Sequence, residues 1–486
     1  MKAQRITGRN QGQLSIVIRQ FLTFVLLLLV TTVGAQQISI KPVVDERMEL
    51  MSIIFRIAGA EEYVADDLEQ YADAIDRHFI AYKNHPVIEF VLAERESRWI
   101  GYDAVMSMAT ILEINEGKIS IQKDLEAKSL DDRWDYAKND EFIGLLNDFY
   151  QKSNFRRFFD EQLPVRQAAE ANFTKLLKDI NFDWYEKFYG VKPTGDFYLV
   201  LSLANGPNNY GGTIYHTDGR EDIFSILGAW ATDSTGMPTY SPRVISTVIH
   251  EFNHAFCNPL IYEKEEQLLP KGEEFFKLVQ ELMAMQAYGN AKTMLCEILV
   301  RACEIKYTEQ QGANSRYIDY ALKNQEALGF LWIKELYTAL GVYEKNRGKY
   351  PTLRDFMPEI IALQNSLNSK KIAKQLDAEK PVMTVENIKN GSKKVDPATE
   401  YIIVAFSKPM STGNNGCSYG EKGEEYFIEV PEDKNAYWSE DGLRWYLPVK
   451  LEAGKTYSLS FPARFFMSAG FARPKNTVYL DFTTKK

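Results

Sequence analysis

The stretch SPRVISTVIHEFNHAFC, residues 241–257, decides how this chain reads. It contains His250-Glu251-Phe252-Asn253-His254, and on a helix residues four apart share one face, so both imidazoles can reach a single ion. A zinc ion held by two histidines in an open tetrahedral site needs a third protein ligand and leaves its fourth position to water. Glu251, one step round the helix from His250, stands where a general base for that water is required. The local sequence favours the helix. Ser241 is placed to cap it, and Pro242 suits the first turn, where no N–H is needed. Val244, Ile245, Val248, Ile249, Phe252, Ala255 and Phe256 make one apolar stripe, with the histidines projecting from the other side. Asn258-Pro259 is expected to end the run. The chain has only five histidines, so a chance match to this motif is on the order of one per cent or less. An amphipathic helix carrying two solvated histidines is the competing reading.

No histidine follows His254. The third ligand is therefore a downstream carboxylate or, less naturally, His216. Glu281 shares a helix face with Glu274 and Lys277, which reads as a solvated side. Glu297 and Glu304 lie on a helix that is apolar almost all round, where Glu297, Arg301 and Glu304 form one narrow charged stripe. Buried carboxylates need partners, and a metal ion is one. Glu297 is the favoured ligand, with Glu304 and Glu281 the alternatives. Arg301 then either orients Glu297 or binds a substrate carbonyl or carboxylate, although an ordinary Glu297–Arg301 pair would also satisfy the stripe. Tyr307 is a candidate oxyanion donor.

The surrounding chain sets limits. Its 486 residues are 45% hydrophobic, enough for large cores and more than one domain. Residues 1–35 read as an export signal: Lys2, Arg5, Arg9 and Arg19 precede an apolar run over 21–33, and Val33-Gly34-Ala35 offers a small-residue cleavage site. Losing those four positive charges takes the net charge from −9 to −13. Such acidity argues against nucleic acid or an anionic membrane surface as partner. Four cysteines are too few and too scattered for a disulfide scaffold, and a bridge from Cys257 to Cys296 or Cys303 stays open.

Taken in order, residues 36–164 read as mainly helical, over 48–56, 65–83 and 140–159, with 166–180 a further helix. His78 falls in a polar helical run and is expected in solvent, and His85 in a loop. A strand is expected over 195–203, then a turn over 205–212, then a second strand over 213–216. Such a strand pair ahead of a metal helix offers an edge for an extended peptide, which makes Tyr210, Tyr215 and His216 candidates to line the cleft. Helices are expected over 273–288 and 291–307, and a helical tail over 318–376 broken near Gly341 and Pro351. Beyond about residue 380, short alternating segments at 401–406, 426–430, 445–449, 456–461 and 478–482 read as a β-sandwich of about seven strands.

HEFNH followed by a later Glu on a second helix resembles the Glu-zincin class of zinc metallopeptidases. More closely, ELMSIIFRIAG (49–59), YKNHP (82–86), YDAVMSMA (102–109), HEFNHAFCNPL (250–260) and EILVRACEIKY (297–307) are similar to an exported bacterial family known as a domain of unknown function, DUF4932. The resemblance spans about residues 36–375 and implies a metallopeptidase-like catalytic domain without naming a substrate. Glu-zincins often place an acidic residue four positions after the ligand Glu, and this chain has Arg301 there. VAFSKPMS (404–411), LEAGKTYSLSF (451–461) and YLDFTT (479–484) resemble a bacterial Ig-like domain. The expected architecture is thus α+β: a mainly helical zincin-like domain over 36–376, then an all-β Ig-like sandwich over 380–486. The expected activity is exported, Zn2+-dependent hydrolysis of a peptide or protein substrate, with His250, His254 and Glu297 as ligands and Glu251 as base. The Ig-like module would serve as a spacer or cell-envelope docking unit. A non-catalytic envelope protein with a vestigial metal site is the alternative of another class, and an intact Glu251 favours the enzyme.

Overall fold

The chain enters through a two-residue strand, β1 (Pro42–Val43), and turns into helix α1 (Glu46–Ile57). Asp45 caps α1 by accepting from the Arg47 N–H. The computed structural model describes residues 40–413, 415–431 and 433–486, so the expected export signal lies outside the described residues. Residues 42–486 form one unit.

α1 is buried on nearly every side. Around it pack α2 (Glu69–Phe79), α3 (Pro86–Arg98) and α4 (Asp103–Ile111). The hairpin β2 (Leu112–Asn115) and β3 (Lys118–Ile121) follows α4. Next come α5 (Asn139–Lys152), α6 (Phe155–Glu161), α7 (Leu163–Leu177) and α8 (Asp183–Tyr189). The single helix expected over 140–159 is two, because Asn154 adopts left-handed backbone between α5 and α6. His85 and His78 are not free in solvent. His85 caps α3, its Nδ1 accepting from Val87 N–H and its Nε2–H donating to Asp148 at 3.0 Å. His78 Nε2–H donates to the Ser153 carbonyl at 2.7 Å and packs on Phe79 and Phe158.

β4 (Phe197–Leu201), β5 (Asn209–Tyr215) and β6 (Glu221–Leu227) complete a four-stranded sheet in the order β1-β4-β6-β5. β1, β4 and β6 run parallel, and β5 pairs antiparallel with β6, which makes β5 an edge strand. Residues 209–212, expected in the turn, belong to β5 because pairing with Leu227 through Phe224 outweighs their turn propensity. The turn ahead of β5 is fastened from the core. Fully buried Glu49 of α1 accepts from Leu203 N–H at 2.6 Å, Ala204 N–H at 3.5 Å and the Tyr71 hydroxyl at 2.6 Å.

A helical layer then covers one face of the sheet. It comprises α9 (Val244–Glu263), α10 (Glu265–Ala284), α11 (Ala291–Gln310), α12 (Ser315–Ala327), α13 (Ile333–Lys345), α14 (Leu353–Ser366) and α15 (Ser369–Glu379). α9 starts at Val244, so Ser241 and Pro242 form the turn before it and Ser241 makes no side-chain cap. Nor does Pro259 stop α9. The helix runs one more turn, because Leu260 and Ile261 are buried there and their packing outweighs the hydrogen bond that proline cannot make. Gly341 lies inside α13, close to Lys306, rather than at a break.

Beyond α15 the chain becomes all-β. β7 (Met383–Val385), β8 (Ser392–Val395), β9 (Tyr401–Phe406), β10 (Ser418–Tyr419), β11 (Tyr437–Trp438), β12 (Arg444–Pro448), β13 (Thr456–Phe461) and β14 (Val478–Thr484) form two four-stranded sheets. The sheets share one apolar core that includes Ile402, Val404, Trp445, Leu459, Phe461 and Leu480. Residues 426–430 are not a strand; they hold only an isolated bridge from Glu429 to Lys450. The tail is joined to the helical layer by Lys475 on Asp377 at 2.7 Å, by Lys408 on the last carbonyls of α15, and by Phe471 against Tyr320.

Candidate metal centre

Two helices build the site. α9 carries His250 and His254 on one face, and its opposite apolar face, Val244, Val248 and Phe252, is buried. α11 packs alongside, capped by Asn290, whose side chain accepts from Thr293 N–H at 2.8 Å. Because α11 is buried almost all round, Glu297 is held inside the protein at 6% exposure, facing α9. Fully buried Asn253 fixes the two helices, accepting from the Tyr189 hydroxyl at 2.8 Å and reaching the Val300 carbonyl at 3.5 Å. Cys257 and Cys303 are free thiols with their sulfurs 3.9 Å apart across the same interface.

The side chains converge. His250 Nε2 lies 3.5 Å from Glu297 Oε2, and His254 Nε2 lies 3.5 Å from Glu297 Oε1. All three donor groups fall within 4.8 Å of one another, the one such cluster among the described residues. Donors about 2.0–2.1 Å from a tetrahedral ion sit about 3.3–3.4 Å apart, so the spacing fits a common metal ion with little adjustment. The other nitrogen of each ring is engaged. His250 Nδ1–H donates to Glu304 Oε2 at 3.3 Å and His254 Nδ1–H to Asn258 Oδ1 at 3.2 Å. Each bond fixes a tautomer that leaves Nε2 free as a ligand.

Arg301 is tied to Glu297. Its Nε and Nη2 reach Glu297 Oε2 at 3.1 and 3.0 Å, Nη2 also donates to the Tyr288 hydroxyl at 2.9 Å, and Nη1 to Gln325 at 3.3 Å. The guanidinium stacks 4.7 Å over the Phe330 ring. With its donors engaged, Arg301 orients the carboxylate instead of awaiting substrate. Burial alone would raise the Glu297 carboxyl, but His250, His254 and Arg301 overcome it and hold it at about 2. Burial also disfavours charge on both imidazoles. It prevails at His254, whose pKa falls, whereas the carboxylates of Glu304 and Glu297 raise that of His250. Burial pushes Glu251 up to about 7.

β5 crosses α9 directly at Glu251. A Cβ on Gly211 would lie 2.4 Å from the Glu251 carbonyl oxygen and 3.3 Å from its Oε2. Only glycine permits this approach. Strand alternation turns the Gly211 backbone groups toward the open edge: Asn208 and His216 bond inward to Gly228 and Arg220, which leaves Gly211, Thr213 and Tyr215 facing outward. The edge of the sheet therefore runs past the base and the metal ligands.

Other expected site residues lie elsewhere. His216 Nε2–H donates to Asp222 at 2.9 Å at the end of the β5–β6 hairpin, outside the metal cluster. Tyr210 falls on the face opposite Gly211, its hydroxyl buried beside Tyr63, because side chains alternate along a strand. The Tyr307 hydroxyl accepts from Asn181 N–H at 2.8 Å and its ring packs on Trp184, so it is no oxyanion donor. Glu281 is exposed on α10. Tyr215 does face the metal-helix side, with Lys128 4.0 Å over its ring. Sequence reading missed the orienting roles of Glu304 and Asn258. Their signals were spacing alone, Asn258 four residues after His254 and Glu304 seven after Glu297.

A sequence model described as "Domain of unknown function (DUF4932)" matches residues 40–363, about two thirds of the chain, and the chain belongs to that family. No curated protein matches. Among solved structures, similarity is reported to domains 1-6 of the surface layer protein SbsC, with 18% identity over 53% of this chain and 35% of that one. The N-terminal part of the bacterial S-layer protein SbsC matches at 19% identity over 51% and 58%, and rSbsC(31-844) at 15% over 82% and 46%. The chain thus spans about a third to under two thirds of the lengths it matches. The TM-score is 0.17 in each case.

Proposed function

Taking the chain as the DUF4932 family member it is, we propose that it is a zinc-dependent peptidase of zincin-like design, exported, with an Ig-like tail that docks it to the cell envelope. The observation that supports this best is the convergence of a His250–His254–Glu297 donor set, a buried Glu251 and an unpaired sheet edge that passes Glu251 at Gly211. Two imidazoles and one carboxylate are a donor set suited to Zn2+ with an open position. A bound Zn2+ would supply Lewis-acid polarisation of a carbonyl and would acidify water.

The remaining work falls to the chain. Gly211 and Thr213 offer outward N–H and C=O groups, so an extended peptide adds to β5 as a further strand. This places one peptide bond beside Gly211 and hence beside the Glu251 carboxylate. Glu251 takes a proton from the attacking water and delivers it to the leaving amine. Burial raises the proton affinity of its carboxyl, which favours a base that must also act as an acid. Glu304, Asn258 and Arg301 hold the ligands in register throughout.

The test is hydrolysis of a mixed peptide library by wild type beside Glu251→Gln. Products formed by the first and absent with the second support the proposal. Equal product from both, or none from either at saturating zinc, leaves a binding protein with a metal site. None of the described helices is long and apolar enough to cross a membrane.

A further inference from the structure

The open edge of β5 does not run its whole length. Past Thr213 the outward groups are already taken by residues 124–129, which follow the β2–β3 hairpin. Tyr215 N–H donates to Ser129 Oγ at 2.8 Å, and its carbonyl accepts from Ser129 Oγ and from Glu126 N–H, both at 2.8 Å. Leu125 bridges antiparallel to His216, and Thr217 N–H donates to the Asp124 carbonyl at 2.8 Å. These six residues therefore act as a short extra strand on the far half of the edge. Lys128, on the same segment, covers the Tyr215 ring and pairs with Glu126 at 3.1 Å.

The segment is anchored at both ends. Upstream, Gln122 binds the Ile111 and Thr110 carbonyls at 2.8 and 2.7 Å. Downstream, the buried Trp134 donates to the Ala104 carbonyl at 2.8 Å, and Arg133 pairs with Asp131 and Asp103. Only the half of the edge from Asn209 to Thr213 is left for a ligand, and no described hydrogen bond occupies the outward groups of Gly211 or Thr213.

Resting on the peptidase reading above, we infer that this segment is an end stop, and that the substrates are peptides with a free N-terminal end from which fragments of at most about three residues are released. Antiparallel addition is the stronger pairing, and it aims the N-terminal end of the peptide toward Tyr215. With the reacting bond beside Gly211, the peptide residue two positions earlier lies opposite Thr213. A residue four positions earlier would need Tyr215, whose N–H and carbonyl are engaged. At about 3.4 Å per residue, room upstream of the cut is about three residues, while no described hydrogen bond occupies the backbone N–H or carbonyl of Asn209. Hydrolysis consumes one water and yields a short peptide carboxylate and a new amino terminus on the remainder.

Nested peptides test this on the full chain with zinc. One cleavable sequence is lengthened at its N-terminus by zero to six residues, and separately at its C-terminus, with cut positions read by mass spectrometry. Cuts confined to the first three bonds, with an internal site losing on the order of 100-fold in kcat/KM once the extension passes the stop, support the inference. Internal cuts at equal rates, or fragments released from the C-terminus, overturn it. The same peptides on Glu251→Gln protein give a second readout by hydrogen exchange. Protection of residues 209–213 by the linear peptides that is absent when the same peptides are fused at their N-terminus to a folded protein supports the end stop even if no peptide is cut, an outcome that removes the peptidase reading alone. Neither binding nor cutting removes both. A Glu126→Pro, Ser129→Ala variant, which deletes the bonds to Tyr215, should gain internal cutting. No gain of internal cutting in a variant that exchange shows to be open overturns the assignment to this segment.

Discussion

Replacing Gly211 with alanine is the perturbation whose effect follows most directly from the geometry. Its Cβ would stand 2.4 Å from a backbone oxygen of Glu251, about 1 Å inside ordinary contact at 3.4 Å. That oxygen belongs to a helix whose other face is buried, so it cannot retreat, and β5 must move outward. Overpacking of this kind costs about 1–3 kcal/mol. A displacement near 1 Å between substrate strand and base is worth on the order of 100-fold in rate. Gly212 is the internal control, because its Cβ would meet nothing within 4 Å. The expected result is a lowered melting temperature and a loss of about 100-fold in kcat/KM for Gly211→Ala, with zinc content unchanged. Gly212→Ala should match wild type. The assays are thermal unfolding, elemental analysis and peptide hydrolysis on the three proteins. Wild-type activity and stability in Gly211→Ala would refute the claim that β5 and Glu251 are in contact.

Glu304→Gln should retain zinc at saturating supply but bind it about 10–100-fold more weakly, because the His250 ring loses its charged partner; chelator competition measures this, and unchanged affinity would remove Glu304 from the site. Arg301→Met should lower the affinity likewise, since Glu297 loses its orienting partner, and a variant that binds zinc as wild type does would show the pair to be unrelated to the metal. Glu49 gives a pH test away from the site. Burial raises its carboxyl to about 7 in the folded protein, so between about pH 4.5 and 7 the folded state holds a proton that the unfolded state has released. Stability attributable to this group therefore falls as pH rises through that window, by about 3 kcal/mol, and is level above it. Unfolding free energies of Glu49→Gln and wild type should diverge across the window, and parallel pH curves would contradict the assignment.

The parts legible in the sequence were those written at short range. The i,i+4 spacing of His250 and His254 places them on one face in any helix, and Glu297 stood out because its neighbours on α11 are apolar on nearly every side. What failed were local rules overridden by distant packing. Pro259 reads as a stop, yet Leu260 and Ile261 find a core one turn further on. Asn209 to Gly212 read as a turn, yet β6 pairs with them. Tyr307 shares a helix with Glu297 but faces Asn181 instead of the metal ligands. The bonds from residues 124–129 to Tyr215 join segments 86 or more positions apart, a distance at which no motif or periodicity speaks. The β-sandwich was legible in outline because alternation survives in β9, β12, β13 and β14, while the short β10 and β11 carry too few residues to show a period.

His250, His254 and Glu297 together should hold one zinc ion. Elemental analysis of purified protein tests it most directly, with wild type measured beside Glu297→Gln and Glu281→Gln after zinc is supplied and the excess removed. About one zinc per chain is expected in wild type and Glu281→Gln, with a loss in Glu297→Gln, as for three protein ligands around one ion. No bound metal in wild type, or full occupancy in Glu297→Gln, would contradict it.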